Sequence, residues 1–402
     1  MNLRRIRLEL HRKYKYRLLP NNDRSDFLNH YFFTSNQAWN FALSLKIKDL
    51  SDNSSLPEAD RKYLKFEDLY SLTTNHLKER GIKFNSGVIQ DELRKLEDTF
   101  FRFHKKICGF PKFKSSKKIE QSIIVRNQAT SWDEKKLKIF NKKIKAKFHR
   151  KIPANAKFKG GVVKRESDGN YYFIANLTIS DENPTKSGIE CALDLNVKNI
   201  AISDSNGNRR LIKLEDFSKS KYSKNFLKLQ RKLSKRYKEK NFSKNTKKLQ
   251  MKSNKMYKKI KNKKEDFFHK LSNQLTNQYD QISIEKLEIK KMKESKSTRL
   301  NRLISDVSWN SLIEKIKYKQ EVKNGQIREL NPAFSSQRCN KCGHISKNNR
   351  KSQSDFNCEN CKCTTNADLN ASDNLLDYDT WSLEQKTLID QINQNLCIEN
   401  VS

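Results

Sequence analysis

From Lys13 the chain alternates basic and apolar residues, KYKYRLLP, and then meets Pro20. Alternation has the two-residue period of a strand with one buried face. A proline closing such a run predicts a strand at a sheet edge. From Arg24 to about Cys108 the period becomes helical: Val88, Ile89, Leu93, Leu96, Phe100, Phe103 and Ile107 recur at spacings of mostly three and four. SDNSSLPEAD (51–60) and RGIKFNSG (80–87) read as loops dividing this region. GFPKFKSSKK (109–118) ends it with Gly and Pro and then runs basic.

Residues 119–182 read as short strands. QSIIV, KLKIF and KIKAKF are strand-like, and GGVVKRESDGNYYFIANLTIS predicts a hairpin turning on Asp168-Gly169. Together they predict a small β-barrel, with DENPTKSG (181–188) as the linker out of it. IECALDLNVKNIAISDSNGNRRLIKL then predicts a strand, a turn at Asn206-Gly207 and a second strand. Residues 213–276 predict a long lysine-rich helical pair. Its narrow apolar stripe runs through Phe226, Leu229 and Leu233, then Leu249, Met256, Ile260, Phe267, Leu271 and Leu275. QISIEKLEI predicts a further strand, and a helix passes through Trp309 to about Lys323. After a cluster of cysteines come a last helix and an acidic tail, 377–402.

Charge changes what this pattern is for. Of 402 residues, 84 are Lys or Arg and 46 are Asp or Glu, a formal charge of +38. An enzyme for small metabolites gains nothing from such self-repulsion, whereas a polyanion relieves it by releasing its condensed counterions. Acids that could pair with the lysines of the helical pair at i,i+4 are scarce, so its charge is more than a solvated face. No apolar run approaches about 18 residues, and the N-terminus lacks the apolar block of a signal peptide. The expectation is a cytoplasmic, nucleic-acid-binding protein with no membrane partner.

Eight cysteines are present: Cys108, Cys191 and Cys397 stand singly, and five fall within 339–363. Cys339, Cys342, Cys358 and Cys361 have the spacing C-x2-C-x15-C-x2-C. Two residues between thiolates let a tight knuckle aim both sulfurs at one ion, and two knuckles complete a tetrahedral shell. A redox pair needs only one C-x-x-C. The set predicts a structural Zn2+ with no open coordination position. Cys363 is a spare thiol beside the fourth ligand.

Three acids stand out. In CALDLNVK, Leu193, Leu195 and Val197 share one strand face and Ala192, Asp194 and Asn196 the other, so Asp194 is expected near the middle of a core strand. Glu285 points away from Ile282 and Ile284 near a strand end, with Glu288 a nearby competitor. Asp368 falls at the N-terminus of the last helix, NADLNASDNLL. Each has an ordinary alternative: a turn or surface charge, a rim charge, a helix cap. The order strand Asp, hairpin, later strand Glu, final helix Asp favours one site. It is the order in which a ribonuclease H-like fold brings three carboxylates to two divalent cations for phosphodiester cleavage.

The chain resembles the TnpB family, insertion-sequence-encoded RNA-guided DNA endonucleases related to compact type V CRISPR effectors. DLNVKNIAIS resembles the first RuvC motif, SIEKLEIKKM the second and NADLNASDNLL the third. NPAFSSQRCNKCG resembles the lead-in to the family's zinc ribbon. KYKYRLLP, NQAWNFAL, GFPKFKSSKK and FFHKLSNQL match further family segments. The likeness runs from about residue 13 to 376.

The resemblance implies a multidomain α/β protein. Residues 1–20 and 116–182 would form a β-barrel wedge domain and 21–115 a helical recognition domain. Residues 187–332 and 364–376 would form the RuvC-like nuclease domain, with a zinc ribbon inserted at 333–363. Asp194, Glu285 and Asp368 would be catalytic and hold two Mg2+, with Glu285 between the aspartates. Cys339, Cys342, Cys358 and Cys361 would hold Zn2+. Expected partners are a guide RNA, double-stranded target DNA and single-stranded DNA; the sequence does not fix the oligomeric state, and a monomer is favoured. A CRISPR effector, a non-cleaving RNA-guided repressor and a transposase that joins DNA ends without a guide RNA are the alternatives. Three departures are visible: Asn196 where glycine is usual, Lys286 where a second acid is common, and Lys362-Cys363 in place of glycine after the second cysteine pair.

Overall fold

Tyr14, Tyr16 and Leu18 are buried while Lys13, Lys15 and Arg17 between them are not, so the alternation of the first motif builds strand β1 (Glu9–Leu19). The computed structural model describes residues 9–380 apart from 134, 181–186, 197, 215–220, 241, 287–308, 332 and 353. Residues 1–8, most of the 181–188 linker, Glu288 and the tail beyond 380 lie outside the described residues. The chain divides into two compact units, Met1–Asp181 with Arg236–Lys255, and Glu182–Lys235 with Met256–Ser402.

In the first unit, helices α1 (Asn22–Ser54), α2 (Phe66–Glu79) and α3 (Ser86–His104) pack around Ala38, Leu43, Leu69, Leu77, Ile89 and Leu93. Asn21 and Asn85 cap α1 and α3 by accepting from Arg24 and Val88 backbone N–H groups. Helix α1 continues through Ser54, into the stretch expected as loop from residue 51, and Asn53 is buried with its amide on the Lys62 carbonyl.

Strands β2 (Gln121–Val125), β3 (Thr130–Trp132), β4 (Lys136–Ile139), β5 (Lys142–Lys147), β6 (Lys157–Arg165) and β7 (Tyr171–Ser180) join β1 in a sheet of order β2-β6-β7-β1-β5-β4-β3. Its two outer strands, β2 and β3, are joined by a single 3-10 turn, so the sheet is nearly closed on itself. The edge position expected for the first strand is corrected here: β1 is central, paired antiparallel to both β5 and β7. Pro20 lies one residue past its end and takes no donor from the ladder. A bulge in β6 falls at Gly160, whose φ of 93° puts it in the region glycine tolerates. The Asp168-Gly169 hairpin turns as expected, and Asn254 donates to the Ser167 carbonyl beside it.

In the second unit, β8 (Glu190–Leu195), β9 (Asn199–Asp204), β10 (Arg209–Lys213), β11 (Gln281–Glu285) and β12 (Gln326–Leu330) form a sheet of order β10-β9-β8-β11-β12. The first three are antiparallel, with Gly207 at φ 81° in the predicted turn, while β11 runs parallel to both β8 and β12. The single strand read through 189–203 is in fact two, β8 and β9, folded at Asn196, whose N–H donates to the Asn199 carbonyl. Strand β12 carried no alternation strong enough to be predicted.

The lysine-rich pair is α4 (Lys221–Lys238) and α5 (Lys244–Gln278), and α6 (Trp309–Val322) follows β11. Phe268, Leu271 and Leu275 of α5 and Trp309, Leu312 and Ile316 of α6 cover one sheet face through Cys191, Leu193, Ile282 and Ile284. The other face meets the short helix α7 (Ala367–Leu376), where Leu375 packs on Ala192 and Leu330. Among the described residues no helix is long and apolar enough to cross a membrane.

Candidate metal-binding sites

The parallel pairing of β8 with β11 sets the acidic site. Ser283 lies beside Ala192 and Ile284 beside Leu193, so the next positions in register are Glu285 and Asp194. Since Leu193 and Ile284 share the α5–α6 core, both acids project to the opposite face, where α7 packs. Asp194 is the penultimate residue of β8 and not mid-strand, because the chain turns at Asn196. That places its carboxylate at the strand ends, where Glu285 also terminates β11.

Asp368 arrives on α7. Its alternative role as helix cap is excluded: Asn366 is the N-cap, its Oδ1 accepting from the Asp368 and Leu369 N–H groups at 3.0 and 3.1 Å. The Asp368 carboxylate is instead buried and turned to the sheet. Its Oδ2 accepts from Asn199 Nδ2 at 3.0 Å, and its Oδ1 pairs with Arg350 Nη2 at 3.1 Å. Asp194 Oδ2 accepts from Asn196 Nδ2 at 2.6 Å. Asn196 does not adopt a left-handed φ, so the residue that replaces the usual glycine serves by its amide and not by backbone freedom.

Electrostatics tie the three acids together. Burial pushes the Glu285 carboxyl up to about 8, with the Asp194 charge adding to it. Burial likewise pushes Asp194 up to about 6; the Asn196 amide and the Arg350 charge oppose this, and the Asp368 charge adds to it. Asp194 therefore feels the charge of Asp368 and acts on Glu285. The three carboxylates do not lie within 4.8 Å of one another as a set. Lys286, at the second departure, is exposed and donates its N–H to the Leu330 carbonyl.

The donor set is all oxygen, mostly anionic and short of counter-charge. Asn199 Oδ1 adds a buried acceptor with no hydrogen-bond partner among the described residues. Such a set suits a hard divalent cation. Arg350, Asn196 and Asn199 had no place among the predicted site residues. The arginine comes from the cysteine-rich segment and was one basic residue among many; the asparagines gained meaning only once the turn brought them beside the acids.

The sulfur site is tighter. Cys339, Cys342, Cys358 and Cys361 Sγ atoms all lie within 4.8 Å of one another, and they are the one such set of three or more ligand atoms among the described residues. The two knuckles share one geometry. Gly343 N–H donates to the Cys339 carbonyl and Lys362 N–H to the Cys358 carbonyl, with φ of 76° and 56°. Lys362 thus takes the left-handed conformation that glycine would hold at lower cost, roughly 1 kcal/mol less. Cys363 is outside the cluster; its carbonyl accepts from Cys358 N–H. Strand β13 (Asp355–Asn357) leads into the second knuckle, and its antiparallel partner β14 (Thr364–Asn366) leads from it directly into α7.

The first knuckle is fastened to α7 by amides. Asn370 Nδ2 and Asn374 Nδ2 both donate to the Arg338 carbonyl at 2.7 Å, and Asn340 N–H donates to Asn370 Oδ1. The helix that carries Asp368 is therefore held by the segment that carries Cys339.

Comparison with known proteins gives three family matches: "Probable transposase" over residues 165–296, "Cas12f1-like, TNB domain" over 309–375 and "Helix-turn-helix domain" over 10–53. The last description does not fit the fold, since 10–53 comprises one strand and one long helix. The chain is 28% identical over 342 residues to "Putative RNA-guided DNA endonuclease InsQ" of Escherichia coli (strain K12), covering 79% of this chain and 82% of that protein. Over 83 residues it is 39% identical to "TnpB-like protein MJ1635" of Methanocaldococcus jannaschii, 21% of this chain and 19% of that one. Its fold matches a cryo-EM structure of a Cas12f1-sgRNA-target DNA complex with a TM-score of 0.58 at 15% identity, covering 88% of this chain and 83% of that one.

Proposed function

We propose that this chain, which belongs to the TnpB family, is an RNA-guided DNA endonuclease that cleaves target DNA beside a short recognition motif. The observation that carries the reading is the convergence of Asp194, Glu285 and Asp368. They come from three distant segments and approach one another at the C-terminal ends of β8 and β11, two of them with proton affinities raised by burial and neighbouring acid charge. Burial and mutual repulsion make such a cluster of acids unfavourable on its own, and bound divalent cations would offset that.

In this reading the second unit is ribonuclease H-like, and the three acids, with Asn199 Oδ1 nearby, would hold Mg2+. When bound, paired divalent cations activate water and stabilise the leaving oxygen of a phosphodiester. The chain's own residues do the positioning. Asn196 and Asn199 each fix one carboxylate oxygen by an amide N–H, and Arg350 offsets the charge at Asp368. The four cysteines would hold Zn2+, a closed shell that supports the fold and does no chemistry. The barrel would serve as the wedge domain and helices α1–α3 as the recognition domain. The guide would read sequence by pairing, while the protein holds backbones and reads a few base pairs.

Asp194→Ala tests the site. Magnesium-dependent cleavage of target DNA by the purified RNA complex should fall at least about 10³-fold while RNA affinity stays within about twofold. Retained cutting would remove Asp194 from the site. Loss of RNA binding along with cutting would assign it a structural role.

A further inference from the structure

The segment from Thr99 to Ile119 holds seven Lys and Arg and no acid, with five phenylalanines interleaved. Its backbone is anchored. Trp39 Nε1 donates to the Lys112 carbonyl at 3.0 Å, Asn40 exchanges two hydrogen bonds with Lys114 at 2.7 and 2.8 Å, and Gln121 Nε2 donates to the Ser115 and Lys118 carbonyls. Phe100 is buried and Lys114 turns inward onto Trp39 and Glu92, but four large apolar side chains stay in water. Phe101 is 56% exposed, Ile107 61%, Phe110 41% and Phe113 57%.

A helix end and loop that only needed to connect α3 to the barrel would bury these side chains or replace them with polar residues. Four large apolar side chains held in water on a fixed backbone mark a binding surface. Two features give the ligand its chemistry. Phe110 is braced edge-on by Phe100 at 5.6 Å and Phe103 at 5.2 Å, so its ring is oriented before anything binds. Lys105 sits 4.4 Å from the Phe101 centroid, placing a cation beside an exposed ring. Flat apolar rings among cations fit unpaired bases joined by phosphates. A protein partner would want the rings without that charge, and a duplex would want the charge without the rings.

We propose that this surface is a stacking platform for unpaired bases of the guide RNA. The inference rests on the RNA-guided reading above. A resident RNA keeps the rings covered throughout, whereas a DNA strand that comes and goes would leave them exposed between visits.

The test compares the full-length protein with the Phe101→Ala/Phe113→Ala double variant and its Leu/Leu and Tyr/Tyr counterparts. Each is titrated by fluorescence anisotropy with a single-stranded oligouridine, the matching oligodeoxythymidine and an RNA hairpin, at a salt concentration that screens phosphate contacts. RNA co-purifying with each variant is quantified. The Ala/Ala and Leu/Leu proteins should bind oligouridine at least about tenfold more weakly and retain less cellular RNA. The Tyr/Tyr protein should match the parent, and hairpin affinity and melting temperature should not move. Unchanged oligouridine affinity in Ala/Ala, parental affinity in Leu/Leu, or a loss confined to oligodeoxythymidine each overturns the platform. If the parent itself binds no RNA, the RNA-guided reading fails; if it binds and the variants equal it, only the platform fails.

Discussion

Replacing Glu285 with glutamine should stabilise the metal-free protein, and only above mildly acidic pH. An ordinary glutamate releases its proton near 4.5, while the folded chain holds this one to about 8 through burial and the Asp194 charge. Between those values the folded state keeps a proton the unfolded chain has given up, so stability declines as pH rises through the window and the full cost is reached above about 8. At about 1.4 kcal/mol per tenfold change in proton affinity, the upper bound is about 5 kcal/mol. Water reaching the end of β11 reduces this to roughly 2 kcal/mol, using the higher effective dielectric of real proteins. For a unit of this size that is a melting-temperature gain of about 4–8 °C. Glutamine keeps the shape and removes the charge. The assay is thermal melting of both proteins from pH 4 to 9 in buffer without added divalent cation. The curves should coincide at pH 4 and separate progressively to pH 8.5, and added Mg2+ should raise the parent more than the variant. A variant no more stable than the parent at pH 8.5 would refute the claim that Glu285 is a buried, charge-strained acid.

Cys339→Ser, or stripping metal from the four cysteines, should lower stability by several kcal/mol, as loss of structural zinc does. Parallel melts and metal content measure this, and an unchanged melting temperature would count against a metal there. Asn366→Ala should cost about 1 kcal/mol through the lost cap on α7, with Asn366→Ser recovering most of it in chemical denaturation. Equal stability of all three proteins would mean that another group caps the helix.

Much of this was legible because periodicity reports burial directly. The β1 alternation, the α3 stripe and the barrel strands follow from which residues must leave water, and the cysteine spacing from what one ion requires. The failures share a cause as well. Edge against centre for β1 depends on partners far along the chain, which Pro20 does not encode. The β8–β9 turn falls where Asp194, Asn196 and Lys198 alternate with Leu195 and Val197, so its polar residues read as one face of a continuing strand. Strand β12, QIREL, buries chiefly Leu330 and has no pattern to read. The order of strand Asp, hairpin, later strand Glu and final-helix Asp nominated Asp194, Glu285 and Asp368, which residue type alone did not. The partners Arg350 and Asn199 are ordinary polar residues until the fold brings them to the acids.

The parallel pairing of β8 with β11 also has a kinetic meaning. Gln281 and Glu190, which begin that ladder, are 91 residues apart in the chain. The intervening lysine-rich helices are local structures that can form within microseconds. The ladder must await closure of a long loop, the slowest kind of contact to make. A chain midway through folding would already present its cationic helices, while Glu285 had yet to reach Asp194. It would be able to hold nucleic acid before it could harm it.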